Sequence, residues 1–236
     1  MISRALFDKS VADIGLQLPE RAFDLFDAYA EALTDYNEKV NLTAITAPDE
    51  VVIKHFIDSI SLLRFVSLND GAKICDVGTG AGFPGMCLAI ARPDLRVTLF
   101  DSVNKKLEFL RILSMELAVP VEIVTIRAED AGRKGEYREQ FDLVTARAVS
   151  QLNVLSEYCV PLVKKNGLFA PMKAKLSEEE AQRGIGAAAN LGAKLRRREL
   201  YALPNGSERE ILIFEKINAT SAKYPRNAAQ ISKKPL

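Results

Sequence analysis

Apolar residues recur along residues 19–40 at steps of three and four, the period of a helix that buries one face. The stripe consists of Ala22, Phe26, Tyr29, Leu33, Tyr36 and Val40. A second stripe of the same period runs through residues 48–66. No stretch before residue 72 has the character of a strand. The pattern therefore predicts a helical extension over residues 1–65.

After residue 72, short apolar runs alternate with longer amphipathic stretches, which predict strands and helices respectively. The predicted strands are 73–77, 96–101, 121–126, one within 141–149, and 167–173. The predicted helices are 85–92, 104–119, 152–163 and 178–192. Strands that alternate with helices form a parallel sheet covered on both faces.

Two further strand-like runs, 195–203 and 208–217, flank an Asn205-Gly206 turn. Such a pair is a strong hairpin signal, so we expect the last strand to be antiparallel. The fold class is therefore α/β, with a seven-stranded Rossmann-like sheet over residues 66–217. Residues 218–236 are polar and contain prolines, and we expect a loose basic tail there.

Composition excludes several classes of protein. The chain has 236 residues, 48% of them hydrophobic and 27% charged, which suits one large domain with a small appendage. There is no apolar run of membrane-spanning length, and the N-terminus is too polar for a signal peptide. The three cysteines show no disulfide or metal spacing. We expect a cytoplasmic protein without a metal, and the net charge of +1 does not by itself indicate nucleic acid.

The stretch CDVGTGAGFPG, residues 75–85, places four glycines between a predicted strand and a predicted helix. A glycine-rich turn at this edge of a sheet lets a ligand approach the backbone. Two patterns fit it. One is the dinucleotide fingerprint G-x-G-x-x-G, formed by Gly80, Gly82 and Gly85, with Asp101 about 20 residues further on. The other, formed by Asp76, Gly78, Gly80 and Gly82, resembles motif I of S-adenosylmethionine-dependent methyltransferases.

The second pattern is favoured because a carboxylate at Asp76 suits a cationic cofactor better than a pyrophosphate. Asp101 ends the second strand, where a carboxylate can accept hydrogen bonds from ribose hydroxyls with either cofactor. Ala128 and Glu129 follow the third strand, at the position that commonly faces the adenine in methyltransferases. A nicotinamide-dependent oxidoreductase stays open as an alternative.

Six short sequence motifs extend the resemblance over nearly the whole chain. They are NLTAIT (41–46), HFIDSISLL (55–63), DVGTGAGFPG (76–85), RAED (127–130), TARAV (145–149) and YPRNAAQISKKPL (224–236). Together they resemble the bacterial small-subunit rRNA guanine-N7 methyltransferase family, also called glucose-inhibited division protein B. The resemblance implies a methyltransferase sheet, S-adenosylmethionine as cofactor, and small-subunit ribosomal RNA or the 30S particle as substrate. It places the cofactor against Gly78, Phe83, Ala128, Glu129 and Arg147.

The implied chemistry needs no general base, because guanine N7 carries a lone pair and no proton. The enzyme's task is alignment of the two reactants. Arg147, after the fourth strand, and His55, which the resemblance puts near the active-site edge, are the candidate catalytic residues. His55 also lies three residues before Asp58, so we expect the two to pair on one helix face.

Basic residues are the candidate RNA contacts, since cations that meet phosphates supply much of the binding energy. They are Lys173 at the end of the fifth predicted strand, Arg197 in the RRR run, and Arg226, Lys233 and Lys234 in the tail. We expect a monomer. A non-catalytic nucleotide-binding assembly factor is the second open alternative.

Overall fold

One seven-stranded sheet organises the computed structural model, which describes all 236 residues. Its strands are β1 Lys73–Val77, β2 Arg96–Asp101, β3 Glu122–Thr125, β4 Phe141–Arg147, β5 Val163–Ala174, β6 Ala193–Ala202 and β7 Glu208–Lys216. Their order is β3-β2-β1-β4-β5-β7-β6. β1 to β5 run parallel, and β7 pairs antiparallel with both β5 and β6. The predicted α/β fold with an antiparallel last strand is confirmed.

Helices cover both faces of the sheet and precede it. They are α1 Arg4–Asp13, α2 Ala22–Asn37, α3 Pro48–Val51, α4 Asp58–Ile60, α5 Gly85–Ala91, α6 Asn104–Leu117, α7 Ala128–Ala131, α8 Leu152–Cys159, α9 Glu178–Asn190 and α10 Ala228–Lys233. A π-helical segment, Val52–Ile57, joins α3 to α4. None of the helices combines the length and the apolar character that a membrane span requires.

The N-terminal helices share one apolar core with the sheet. Phe26 and Tyr29 of α2 and Phe56 of the π segment are fully buried, and they belong to the same cluster as Leu99 of β2 and Leu110 of α6. Burial of aromatic side chains of this size supplies a large part of a core's stability. The helices therefore support the sheet edge directly, and the boundary at residue 65 stays a prediction.

Three elements depart from the predicted bounds. α1 lies within the predicted helical extension but was not predicted as a separate helix, and it follows Ser3, whose hydroxyl accepts from the Leu6 amide as an N-cap. The predicted helix 152–163 ends as α8 at Cys159 and continues as a 3₁₀ turn over Val160–Leu162, which contains Pro161, before β5 begins at Val163. The polar residues at the start of β5 lack the apolar signal of a strand, although the pairing of Val163 with Phe141 places them in the sheet.

The expectation of a loose tail is wrong. Ile231 of α10 is fully buried, and Asn227 and Gln230 form a capping box at the start of this helix. The Arg226 guanidinium donates to both carboxylate oxygens of Glu157 on α8, at 2.8 and 2.5 Å, and Glu157 is fully buried. A buried carboxylate needs a cation and hydrogen bonds, so this ion pair fixes the tail against α8.

β6 is an edge strand of the sheet, since it pairs with β7 alone. Its outer surface carries the exposed side chains of Lys194, Arg196 and Arg197. The Arg197 guanidinium donates to the carbonyl oxygen of Phe65, and its side chain stays about half exposed, at 54%. This basic row lies at the opposite side of the sheet from β3.

Arg226→Ala is expected to lower the free energy of unfolding by about 3 kcal/mol, because it leaves Glu157 buried without its counter-charge. Urea-induced unfolding measures this difference. Lys233→Ala is the matched control on the neighbouring helix, since Lys233 is exposed and makes no ion pair; we expect it to stay within about 0.5 kcal/mol of the native chain. Equal stabilities of the two variants would contradict a structural role for the pair.

Candidate active site

The glycine loop after β1 is shaped differently on its two sides. Gly80 and Gly82 both have positive φ, +58° and +104°. A Cβ at Gly80 would meet no atom within 4 Å, whereas a Cβ at Gly82 would lie 2.5 Å from the Tyr29 hydroxyl oxygen. Gly82 therefore lets α2 approach the loop from inside the protein, and Gly80 leaves open space on the other side. That open space is what a ligand against the backbone requires.

Asp76 closes the glycine loop from inside. One carboxylate oxygen, Oδ2, accepts from the Thr79 hydroxyl at 2.6 Å and from the Gly85 amide at 2.8 Å, while Oδ1 has no hydrogen-bond partner. Burial raises the pKa of Asp76 to about 6, and the two hydrogen bonds oppose that rise. Asp76, which the sequence assigns to the cofactor, is thus fully buried, and its two hydrogen bonds stabilise the conformation of the glycine loop itself.

Asp101 fastens the same loop to the end of β2. Its Oδ2 accepts from the Gly80 amide and its Oδ1 from the Val103 amide, both at 2.9 Å. Each carboxylate oxygen has a second lone pair. Asp101 remains half-buried, so these lone pairs are available to hydroxyl donors in the cavity that it lines.

That cavity, called here the β1–β3 cavity, lies at the carboxyl ends of three strands and has a volume of about 140 Å³. Its lining includes Gly78, Asp101, Ala128, Glu129 and Tyr158. Glu129 is 7% exposed and makes no hydrogen bond to another protein group. A nearly buried carboxylate without a partner indicates a ligand that carries donors. The structure thus brings together four residues that the sequence assigned to one cofactor.

Phe83 is the centre of an aromatic stack. Its ring lies nearly parallel to Tyr29 on one side, with centroids 5.5 Å apart, and to His55 on the other, at 4.3 Å. The Arg147 guanidinium carbon lies 5.1 Å from the same ring, within the range of a cation–π contact. Phe83 is 6% exposed, so it packs the site rather than offering a free face.

His55 lies in the π-helical segment and does not pair with Asp58 as the sequence predicted. Its Nε2 is 2.8 Å from the Thr43 hydroxyl, and its Nδ1 is 3.3 Å from Arg147. Arg147 stands between the two residues and donates to Asp58 Oδ2 at 2.9 Å. Burial, with the positive charge of Arg147 second, lowers the pKa of His55 to about 3. The imidazole is therefore neutral over the physiological range.

A second cavity of about 530 Å³, called here the β4–β5 cavity, adjoins Arg147. Five cationic side chains and two acids line it: Lys54, Arg147, Lys173, Lys175 and Arg209 against Asp58 and Glu180. Asp58 is 3% exposed and pairs with both Arg147 and Arg209. Its Oδ2 accepts from Arg147 at 2.9 Å, and its Oδ1 accepts from Arg209 at 3.1 Å. The excess of positive charge suits an anionic ligand.

The predicted RNA contacts are scattered. Lys173 lines the β4–β5 cavity, where its ammonium group donates to the Ser150 carbonyl at 2.7 Å and lies 3.1 Å from Glu180. Arg197 lies on the edge strand, and Lys233 and Lys234 are exposed near the end of α10. Arg226 does not fit its predicted role, because Glu157 occupies its guanidinium. RNA contact by the other four stays a prediction.

Sequence reasoning missed Tyr29, Glu180 and Arg209. A tyrosine inside an apolar stripe was a usable signal for Tyr29, because a buried hydroxyl needs a hydrogen-bond partner. Its hydroxyl donates to the Ala81 carbonyl at 2.5 Å. Glu180 and Arg209 stand in stretches rich in charge, where nothing distinguishes them from surface residues.

Known proteins resemble this chain over nearly its full length. The family model described as GidB, rRNA small subunit methyltransferase G, matches residues 23–199. A ribosomal RNA small subunit methyltransferase G from Bacillus subtilis (strain 168) is 44% identical over 234 residues, which are 98% of this chain and 97% of the relative. One of the same name from Lactobacillus helveticus is 47% identical over 223 residues, 93% of each chain.

Solved methyltransferase structures share the fold at low sequence identity. TrmN from Thermus thermophilus has a TM-score of 0.54 and 18% identity, covering 68% of this chain and 48% of its own. A SAM-dependent O-methyltransferase from Thermotoga maritima has a TM-score of 0.54 and 15% identity, covering 80% of this chain and 72% of its own. At such identities the likeness shows the fold alone.

Tyr29→Phe is expected to weaken binding of S-adenosylmethionine, the cofactor that the sequence predicts, by about fivefold, as for one lost hydrogen bond of about 1 kcal/mol. The variant leaves the buried Ala81 carbonyl without its donor and loosens the glycine loop. Calorimetric titration measures the affinity. Tyr36→Phe is the control, because the Tyr36 ring packs against Phe109 at a tilt and its hydroxyl makes no hydrogen bond within the protein. Unchanged affinity in Tyr29→Phe would refute the role of this hydroxyl.

His55 is the only histidine, so its imidazole signals in an NMR spectrum are unambiguous. With a pKa of about 3, its chemical shifts should stay constant from pH 8 to pH 5. In urea the same ring should titrate near 6.5. The unfolded chain then binds a proton below pH 6.5 that the folded chain does not, so folding stability should decrease as the pH falls. A folded-state midpoint above pH 5 is incompatible with the described burial.

Proposed function

The chain belongs to the rRNA small subunit methyltransferase G (GidB) family and is therefore an rRNA methyltransferase, and we propose that it transfers a methyl group from S-adenosylmethionine to N7 of a guanine in small-subunit ribosomal RNA. The observation that carries the proposal is the pair of adjoining cavities. One is lined by a glycine loop and free carboxylate acceptors, and the other by an excess of cations.

The lining of the β1–β3 cavity suits the adenosine part of S-adenosylmethionine, a cofactor that would supply an electrophilic methyl group on a sulfonium. Asp101 has lone pairs free for the ribose hydroxyls, and Glu129 has a carboxylate without a partner for donors of the ligand. Gly80 leaves the backbone open at the rim. Gly78 and Ala128 line the same cavity, and Arg147 lines the neighbouring β4–β5 cavity, with its guanidinium carbon 5.1 Å from the Phe83 ring.

A dinucleotide fits less well, because a pyrophosphate binds to free amides at a helix N-terminus. The first amide of α5, at Gly85, already donates to Asp76. A buried carboxylate at that point also repels a phosphate. The oxidoreductase alternative is therefore not favoured.

Methyl transfer to N7 requires no proton acceptor, since the attacking nitrogen has a lone pair and no hydrogen. The residues of the chain contribute alignment and charge. Arg147 is held by Asp58, Lys54 and His55, so its guanidinium is fixed in the wall of the β4–β5 cavity. His55 supports Phe83 and Arg147 as a neutral ring, and we assign it no proton transfer.

The cationic lining of the β4–β5 cavity is suited to the phosphates beside the target base. Exposed bases of single-stranded or loop RNA are the usual targets of such pockets. A cytoplasmic monomer that acts on the ribosomal subunit, rather than on a membrane-bound partner, completes the proposal.

The proposal is tested by incubating the chain with labelled S-adenosylmethionine and small subunits from cells that lack this modification. Digested rRNA should contain labelled 7-methylguanosine. Gly80→Val should abolish both the label and cofactor binding, because its φ of +58° disfavours a β-branched residue and the new side chain enters the open rim. Gly135→Val is the control, since Gly135 is exposed, has no positive φ, and has equal space. Normal cofactor affinity in a folded Gly80→Val chain would show that the cofactor lies elsewhere.

A further inference from the structure

Glu180 and Lys173 lie side by side in the wall of the β4–β5 cavity. We propose that Glu180 selects the base to be methylated, by accepting hydrogen bonds from N1–H and N2–H of guanine while Lys173 donates to O6. This inference rests on the proposed function, which directs the N7 edge of a purine toward the cofactor.

The two side chains present one fixed donor and one open acceptor. Glu180 Oε1 accepts from the Leu152 amide and lies within salt-bridge distance of the Lys173 ammonium, both at 3.1 Å. Its other oxygen, Oε2, receives no hydrogen bond from the protein. The Glu180 side chain is 22% exposed and that of Lys173 is 15% exposed, so both are largely withdrawn from solvent.

A carboxylate in this position favours a ligand that donates hydrogen bonds to it. Two contacts to Oε1 fix the orientation of the carboxylate, which leaves Oε2 pointing to a partner outside the protein. A largely buried acceptor gains free energy when an N–H group replaces water there, and a charged acceptor gains more than a neutral one. The same position disfavours a ligand that brings a lone pair.

The order of strands sets which edge of the base meets each residue. The cofactor cavity lies over β1 to β3, Arg147 ends β4, Lys173 lies near the end of β5, and α9 with Glu180 follows β5. Neighbouring strands are about 4.8 Å apart, so β5 ends about 10 Å from β1. A purine with N7 toward the cofactor therefore presents its position 6 to Lys173, and its positions 1 and 2 to Glu180.

Guanine matches this order and adenine opposes it. Guanine has an acceptor at position 6, and donors at N1 and N2. Adenine would place its N6 amino group against the Lys173 ammonium, and its N1 lone pair against the Glu180 carboxylate. Pyrimidines have no N7. The wall therefore accepts guanine. It rejects adenine, which would place a donor against a donor and an acceptor against an acceptor.

Glu180→Gln separates base selection from a structural role. The amide keeps one oxygen for Leu152 and Lys173, so a residue that only supports the loop should tolerate the change. It replaces Oε2 by an NH₂ group, which would oppose N1–H and N2–H of guanine. Glu179→Gln is the matched control, because Glu179 is the exposed neighbour and pairs with Arg183 on the surface.

Methylation of small subunits should show a kcat/KM about 10- to 100-fold lower in Glu180→Gln than in the native chain. S-adenosylmethionine affinity and the melting temperature should stay unchanged, and Glu179→Gln should behave as the native chain. A native kcat/KM in Glu180→Gln overturns the inference. A loss that is accompanied by a matching loss of cofactor affinity or melting temperature also overturns it. A native chain that forms no 7-methylguanosine refutes the proposed function itself.

Subunits reconstituted with inosine at the modified position give a second measurement, since inosine lacks the N2 amino group. The native chain should lose part of its activity on this substrate. Glu180→Gln should then cost less on inosine than on guanine, because the N2–H contact is already absent and only the N1–H contact is left to lose. Independent, multiplicative losses would show that Glu180 and N2 do not interact, and would overturn the inference.

Discussion

The contact between the N-terminal helices and the glycine loop is the constraint on which the site depends. The Phe83 ring is stacked between Tyr29 and His55, and the Tyr29 hydroxyl holds the Ala81 carbonyl. Only a glycine at position 82 permits this approach. The loop therefore has an anchor on each side, with Asp76 and Asp101 on the sheet and α2 above it. The helices before β1 therefore hold the glycine loop in place and are not a mere appendage to the sheet.

The sequence predicts the sheet well because most strands are apolar runs bounded by turn residues, and because the Asn205-Gly206 turn indicates the hairpin that contains the charged strand β6. It also predicts that Asp101, Ala128 and Glu129 lie close together, because the carboxyl ends of parallel strands meet at one edge of the sheet. It fails where a partner is distant in the chain. Glu157 stands in an apolar helical run, and nothing near it in sequence shows that Arg226 neutralises it. The pKa of His55 likewise follows from burial and from Arg147, which lies 92 residues away.

The docked tail supports the far wall of the β1–β3 cavity. Arg138 donates to the carbonyl oxygens of Thr220 and Tyr224, and Arg133 donates to that of Pro225. A Cβ on Gly132, which follows α7, would lie 2.9 Å from the Pro225 ring. The tail thus packs against the segment that carries Ala128 and Glu129. Among the cations of the tail itself, Arg226 serves the docking through Glu157, which a count of charges along the chain does not reveal.

The basic row on β6 has a consequence for how copies of the chain meet. An edge strand offers unpaired amides and carbonyls to any other strand of suitable length. Lys194, Arg196 and Arg197 project beside those groups, so a second copy that approached in register would bring its own cations against them. Such repulsion protects the sheet from growing into an intermolecular ladder, especially while newly made chains are concentrated and only partly folded. The basic row thereby guards the sheet edge against aggregation.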